Sequence, residues 1–271
     1  MVRTEPQPNS FLKSLDETNV LRLDFAELTL PVEKRQNLLA AWNLADENSL
    51  PLEMKQALNA NGIKVGVFNR SAPDELLELL ISKKYCPNPR RIHAQMGKQA
   101  IIPGSLQEKG TTILLEENGH QRNLELKQTV LAFFVTPQKK REGLFHLLWV
   151  PTCTPVDQRA TPKAVKSSTG NFEWDLQEDK KSGMLNALAW TMEIQPGDFI
   201  LIGANHDKKD HIDLGNCFFQ SPSGKSEKLI VVRCSQKPQA VSKNLGQFDN
   251  QIPLALQAAW SDVEKSLRTG N

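Results

Sequence analysis

The sequence contains no long hydrophobic run. A helix needs about 20 consecutive apolar residues to span a bilayer, and no stretch of the 271 residues approaches that length, so a membrane-spanning helix is excluded. The opening MVRTEPQPNS is polar and proline-bearing and lacks the apolar core of a secretory signal. That fits a cytoplasmic chain, or one whose export segment has been removed. Charge of one sign is lacking too: 33 Lys and Arg against 31 Asp and Glu leave a net +2. This balance argues against a dedicated nucleic-acid binder, which concentrates basic charge on one face. Basic runs such as Lys83-Lys84, Lys139-Lys140-Arg141 and Lys208-Lys209 fall at expected turns and read as solvated loops. Cysteine is scarce and scattered: Cys86, Cys153, Cys217 and Cys234 form no Cys-x-x-Cys, which excludes a zinc ribbon or thioredoxin-type motif. Four cysteines allow three pairings in an exported protein; in their apolar settings Cys153, Cys217 and Cys234 read as small buried hydrophobes. No Gly-x-Ser-x-Gly elbow nominates a nucleophile. GSLQEKGTT at 104–112 lacks the Gly-Lys-Ser/Thr ending of a phosphate loop, and no Gly-x-Gly-x-x-Gly follows a strand. Neither a cofactor motif nor a fixed-period repeat is present.

What the sequence does contain is a β-rich pattern behind a short mixed segment. Residues 1–18 read as a flexible tail. Val20 to Leu30 alternates as a strand. Pro31 opens a helix with Leu38, Leu39, Trp42 and Ala45 along one face, and a second helix starts near Ser49 and Pro51. It stops at Asn61-Gly62, because glycine accepts the left-handed conformation that a helix end requires. Ile63–Phe68 is a strand. Ser71-Ala72-Pro73-Asp74 reads as a capping box for a third helix carrying Leu76, Leu77, Leu80 and Ile81. This β-α-α-β-α order predicts a small α+β domain over 19–85.

From Cys86 the composition changes. Short strand candidates follow, among them Arg91–Met96, Gln99–Ile102, Thr112–Glu116, Gln121–Leu126, Thr129–Val135, Leu144–Val150, Phe172–Leu176, Ala187–Ile194, Asp198–Gly203, Cys217–Gln220 and Lys228–Arg233. Asn118-Gly119 is a hairpin turn signal, and Lys139–Gly143 closes another hairpin. Val156–Gly170 reads as a loop. The expected class is therefore α+β: the small domain, then a larger antiparallel all-β domain over 86–236, built as a sandwich or partly closed barrel. A polar linker over 237–251 and a C-terminal helix over 252–271 complete the chain.

Candidate chemistry is thin. His206, Asp207, Asp210 and His211 lie close together and are metal-ligand types, but their spacing matches no motif with a mechanism. Trp174, beside the polar loop, is the best-placed tryptophan for stacking on a glycan or peptide. Trp42, Leu76 and Leu80 form an apolar helix face that is either buried or shared with a neighbour.

Two patterns carry a resemblance. NALAWTMEIQPGDFILIG, Asn186 to Gly203, runs strand, Pro-Gly-Asp turn, strand and glycine, after paired strands at Val130–Thr136 and Leu144–Pro151. This resembles the last part of the secretin domain of bacterial outer-membrane secretion channels, and the preceding unit looks like the small periplasmic domains of those rings. Over about 20–236 the chain also resembles uncharacterised bacterial envelope proteins that share Asn61-Gly62-Ile63-Lys64-Val65-Gly66 and Cys86-Pro87-Asn88-Pro89-Arg90-Arg91. The Gly-x-x-Pro gate element of a secretin pore is missing. The resemblance therefore implies a non-enzymatic structural or assembly protein of a cell envelope, periplasmic or outer-membrane associated, with a secretin-like β domain and no recognisable gate. Its expected partners are copies of itself, through a repeated heterologous contact, or other envelope proteins, and not nucleic acid. A ligand-binding β-sandwich around Trp174 is the alternative, and a metal-dependent hydrolase around His206 and His211 a second one.

Overall fold

A computed structural model describes residues 19–156, 161–166, 172–177, 183–205, 212–221 and 223–235, with backbone alone for 161–166 and 172–177. The class is α+β with mostly antiparallel sheets, and the described residues form no closed barrel.

The first sheet is built from β1 (Val20–Pro31), β2 (Ile63–Phe68), β3 (Arg90–Gln95), β13 (Phe199–Ala204) and β14 (Ser226–Ser235). Their order is β2-β13-β14-β1-β3, and every neighbouring pair is antiparallel. Each of the three central strands presents apolar residues on both faces. On β13, Ile200 and Ile202 face one way while Phe199 and Leu201 face the other, and all are buried. A strand reads as such a continuous apolar run only when both faces are covered.

Two helices cover one face: α1 (Arg35–Leu44), entered through a 3-10 turn at Val32–Lys34, and α3 (Asp74–Ile81). Leu38, Ala41 and Trp42 of α1 and Leu76, Leu79 and Leu80 of α3 pack on Ala26, Leu28, Leu30, Leu201, Leu229 and Val231. The indole of Trp42 sits where the sheet has no side chains. A Cβ on Gly66 would lie 3.1 Å from its ring, as would one on Gly203. Two glycines on adjacent strands thus make a pit for one large ring, and the Lys64 ammonium lies 5.0 Å above that ring's centre.

The other face packs on a second sheet. It contains β4 (Ala100–Gln107), β7 (Thr129–Arg141) and β8 (Leu144–Pro155), with β11 (Gly183–Met184) and β12 (Trp190–Ile194) sharing the far edge of β8. Leu131, Phe133, Val135, Leu147, Trp149, Trp190 and Met192 meet Leu23, Phe25, Ile200, Ile230 and Val232 of the first sheet in one core. Trp149 and Trp190 are cross-strand partners and stack with centroids 5.7 Å apart. Phe218 approaches Phe133 at 4.6 Å. The layers are therefore helices, first sheet, second sheet.

One end of the core is closed by α2 (Leu52–Ala60), by the hairpin of β5 (Thr111–Glu117) and β6 (His120–Leu126), and by α4 (Leu214–Phe219). The β5–β6 turn carries Asn118 and Gly119 at φ 52° and 77°, the two positive values that this turn requires. β9 (Thr161–Lys166) and β10 (Phe172–Gln177) form a separate two-stranded ribbon.

Several expectations are corrected. Residues 19–85 do not form a sheet of their own: β1 pairs with β14 and β3, and β2 pairs with β13. The strands from before and after residue 85 are mixed in one sheet because each needs a partner with a matching apolar face. Cys217–Gln220 is not a strand; Asp213 caps α4 by accepting the Asn216 N–H, and the helix is buried nearly all round. Ala187 belongs to a 3-10 turn, Asn186–Leu188, and the strand begins at Trp190. The expected loop at Val156–Gly170 contains β9. The capping box is absent: α3 starts behind Pro73, too far along the chain for the Ser71 hydroxyl, and has no side-chain cap. The tail over 1–18, the linker over 237–251 and the C-terminal helix over 252–271 lie outside the described residues.

Candidate functional site

Among the described residues no layer of helices covers the outer face of the second sheet. Its side chains follow from register. Ile101, Phe134 and Val150 lie in one row across β4, β7 and β8; Pro103, Ala132 and Thr152 in the next; Leu106, Val130 and Thr154 beyond them. On the other side of the first row come Thr136, Leu148 and Thr191. The rows form an apolar stripe whose middle, Ala132, Val150 and Thr152, is buried and whose margin is open: Ile101 is 59% exposed, Leu106 48% and Val130 42%, with Phe134 and Leu148 half-buried and Val156 at 47% just past the end of β8. Alternation explains why these residues are outside. Leu131, Phe133 and Val135 fill the core, so Val130, Ala132, Phe134 and Thr136 must point away from it.

One end of the stripe is charged. Glu193 on β12 accepts hydrogen bonds from Lys140 and from His146 Nε2, the latter at 3.0 Å. The Lys140 bond, and then the His146 bond, hold the Glu193 carboxyl below its ordinary range. His146 stands on the outward face of β8, as its position among Phe145, Leu147 and Leu148 predicts.

The residues that carried the sequence resemblance act as joints. Asn61 is fully buried; its amide donates to the carbonyls of Ala57 and Glu116 at 2.9 and 2.8 Å, and its side-chain oxygen accepts the Glu116 N–H at 2.8 Å. It thereby ties the end of α2 to β5. Gly62 is packed so closely on Asp213 that a Cβ would fall on the carboxylate. Arg91 Nε donates to the buried Asp24 Oδ1 at 2.6 Å, and the Arg90 guanidinium lies 5.2 Å from the Phe25 ring centre.

The residues proposed from sequence are not brought together. Trp42, Leu76 and Leu80 are buried in the chain's own helix-side core, so their side chains present no surface. Trp174 pairs with Ala164 in the β9–β10 ribbon. His206, Asp207, Asp210 and His211 lie outside the described residues. Among the described residues no group of three or more His, Cys, Asp or Glu side chains is placed to hold a metal, and no helix is long and apolar enough to cross a membrane. All four cysteines are free and buried. Burial pushes the Cys86 thiol up to about 11 and those of Cys153, Cys217 and Cys234 up to about 12, far from the thiolate form that reacts at neutral pH.

The outer face went unread in the sequence, although one signal was available. Residues 130–135 are apolar at both even and odd positions, which means that both faces of β7 call for cover. Compared with known proteins, the chain matches no protein-family model, no curated protein and no solved structure.

Proposed function

We propose that this chain is a non-enzymatic assembly protein of a bacterial cell envelope, and that it associates with a second copy of itself through the outer face of its second sheet. The observation that carries the reading is the apolar margin of Ile101, Leu106 and Val130, exposed beside the half-buried Phe134 and Leu148 on a sheet whose other side is core. Soluble monomers rarely leave a large contiguous apolar patch open to water, and such patches mark association sites. The occupant is a copy because the middle of the stripe carries no charge to select an unlike partner, whereas a second copy brings the same stripe. Two copies related by a twofold axis would apply one patch to itself, with the sheets about 10 Å apart as in any sandwich. The envelope part of the reading rests on the resemblance carried by Asn61–Gly66 and Cys86–Arg91.

The test is solution mass by light scattering across a wide concentration range, on the wild type and on Val130→Glu. A wild type that doubles its mass as concentration rises, beside a variant that stays monomeric, is the expected result. A wild type that remains a monomer throughout overturns the association.

A further inference from the structure

A second surface, at the closed end of the core and away from the stripe, has different chemistry. A groove of about 510 Å³ runs between α2, the β5–β6 turn and the 3-10 turn at Asn186–Leu188. Its floor is apolar: Met54 and Ala57 of α2 are partly exposed and pack on the main core, with the fully buried Leu188 beneath the surface. Its rim carries two carboxylates, Glu53 from the first turn of α2 and Glu116 from β5, with the Asn118 amide beside them.

The charge pattern around the groove is uneven. Glu47 is matched by both Lys55 and Lys64, and Glu117 by Arg122, whereas neither Glu53 nor Glu116 joins an ion pair among the described residues. No Lys, Arg or His lines the groove among those residues. The Glu116 side is also held in place. Its own N–H and C=O are both taken by the buried Asn61 carboxamide, so the position of that rim does not depend on a bound ligand.

We infer that this groove binds a basic segment of a partner polypeptide, seating a Lys or Arg side chain with its methylenes on the Met54–Ala57 floor and its cationic head between Glu53 and Glu116. The volume lies within the range of about 300–1,000 Å³ typical of ligand sites, and is larger than one side chain fills, which favours a peptide over a free cation. An apolar floor beneath a charged rim matches an amphipathic stem carrying a charged head. The chain as a whole is slightly basic at +2, so attraction of a cation at this point is local and not a property of the whole surface.

The test is fluorescence anisotropy with a labelled peptide of alternating arginine and leucine, and with its glutamate–leucine counterpart as control. The full chain and the double variant Glu53→Gln, Glu116→Gln are titrated in parallel. Both substitutions leave the backbone contacts of Asn61 untouched, and an unchanged urea midpoint checks that the fold persists. Expected are saturable binding of the basic peptide alone, weakening with salt, and a loss of roughly tenfold or more in the double variant, as removal of charge-assisted hydrogen bonds gives. Equal affinity of the variant, equal binding of the acidic peptide, or no binding of the basic one would each overturn the inference. Light scattering of the same variant separates this groove from the stripe, because self-association through the stripe is expected to be unchanged.

Discussion

The two sheets are made of similar residues and stand in opposite situations. The first is covered on one side by the second sheet and on the other by α1 and α3, and its central strand β13 is buried at all six positions. The second shares that core on its inner side and meets solvent on its outer side with Ile101, Leu106 and Val130. A doubly apolar strand such as β7 demands cover on both faces, but the pattern does not say whether the cover comes from the same chain. On the first sheet it does, among the described residues; on the second we propose that a partner supplies it.

That contrast is open to breakage. The largest effect is expected on the covered face. Trp42→Ala empties the pit over Gly66 and Gly203, which no neighbouring side chain can fill, and should destabilise by about 3–5 kcal/mol in urea unfolding. Next comes the joint between the layers. Asn61→Ala strips partners from the N–H and C=O of Glu116 inside the molecule and should lose about 2 kcal/mol. On the open face, Val130→Thr should change the stability of the monomer by no more than about 0.5 kcal/mol while weakening self-association. If it destabilised the dilute monomer as much as Trp42→Ala, the outer face would be covered from within and the comparison would fail.

The smallest effect belongs to the charged end of the stripe. The Glu193 carboxyl is held below its ordinary value of 4.5, first by Lys140 and then by His146. A carboxyl whose folded pKa is depressed contributes stability above its unfolded pKa and loses it as pH falls through the folded one. Glu193→Gln should therefore melt slightly below the wild type at pH 7, with the difference vanishing on acidification below the ordinary carboxylate range. A difference that instead grew in acid would contradict the assigned contacts.

How much of this was legible in the sequence depends on the range of each interaction. Asn61-Gly62 and Asn118-Gly119 could be read because turn chemistry is local: positive φ at Gly62, Asn118 and Gly119 follows from the residues themselves. The Cys217–Gln220 segment was misread because six residues, apolar on nearly every side, show no period; the one local clue was Asp213, three residues before the Asn216 N–H that it caps. Strand order was not legible at all. Alternation assigns Leu23 and Phe25 to one face of β1, but nothing near Arg22 announces Ser235 as its partner. The groove was hidden for the same reason. Glu53 and Glu116 meet at one rim only because α2 is tied to β5 through Asn61, and the outer stripe was hidden because its side chains are of the same kinds as those of the core.

The two Asn-Gly pairs also set the chemical lifetime of the molecule. Asparagine before glycine loses ammonia when the following backbone nitrogen attacks the side-chain carbonyl, and the resulting cyclic imide hydrolyses to an acid. Asn61 is shielded from this: its carboxamide is held on three hydrogen bonds, and the Gly62 N–H is engaged by the Asn59 carbonyl. Asn118 sits exposed in its turn, with neither restraint. Ageing therefore begins at the hairpin and spares the joint, and each molecule that ages there gains a third negative charge on the rim of the groove.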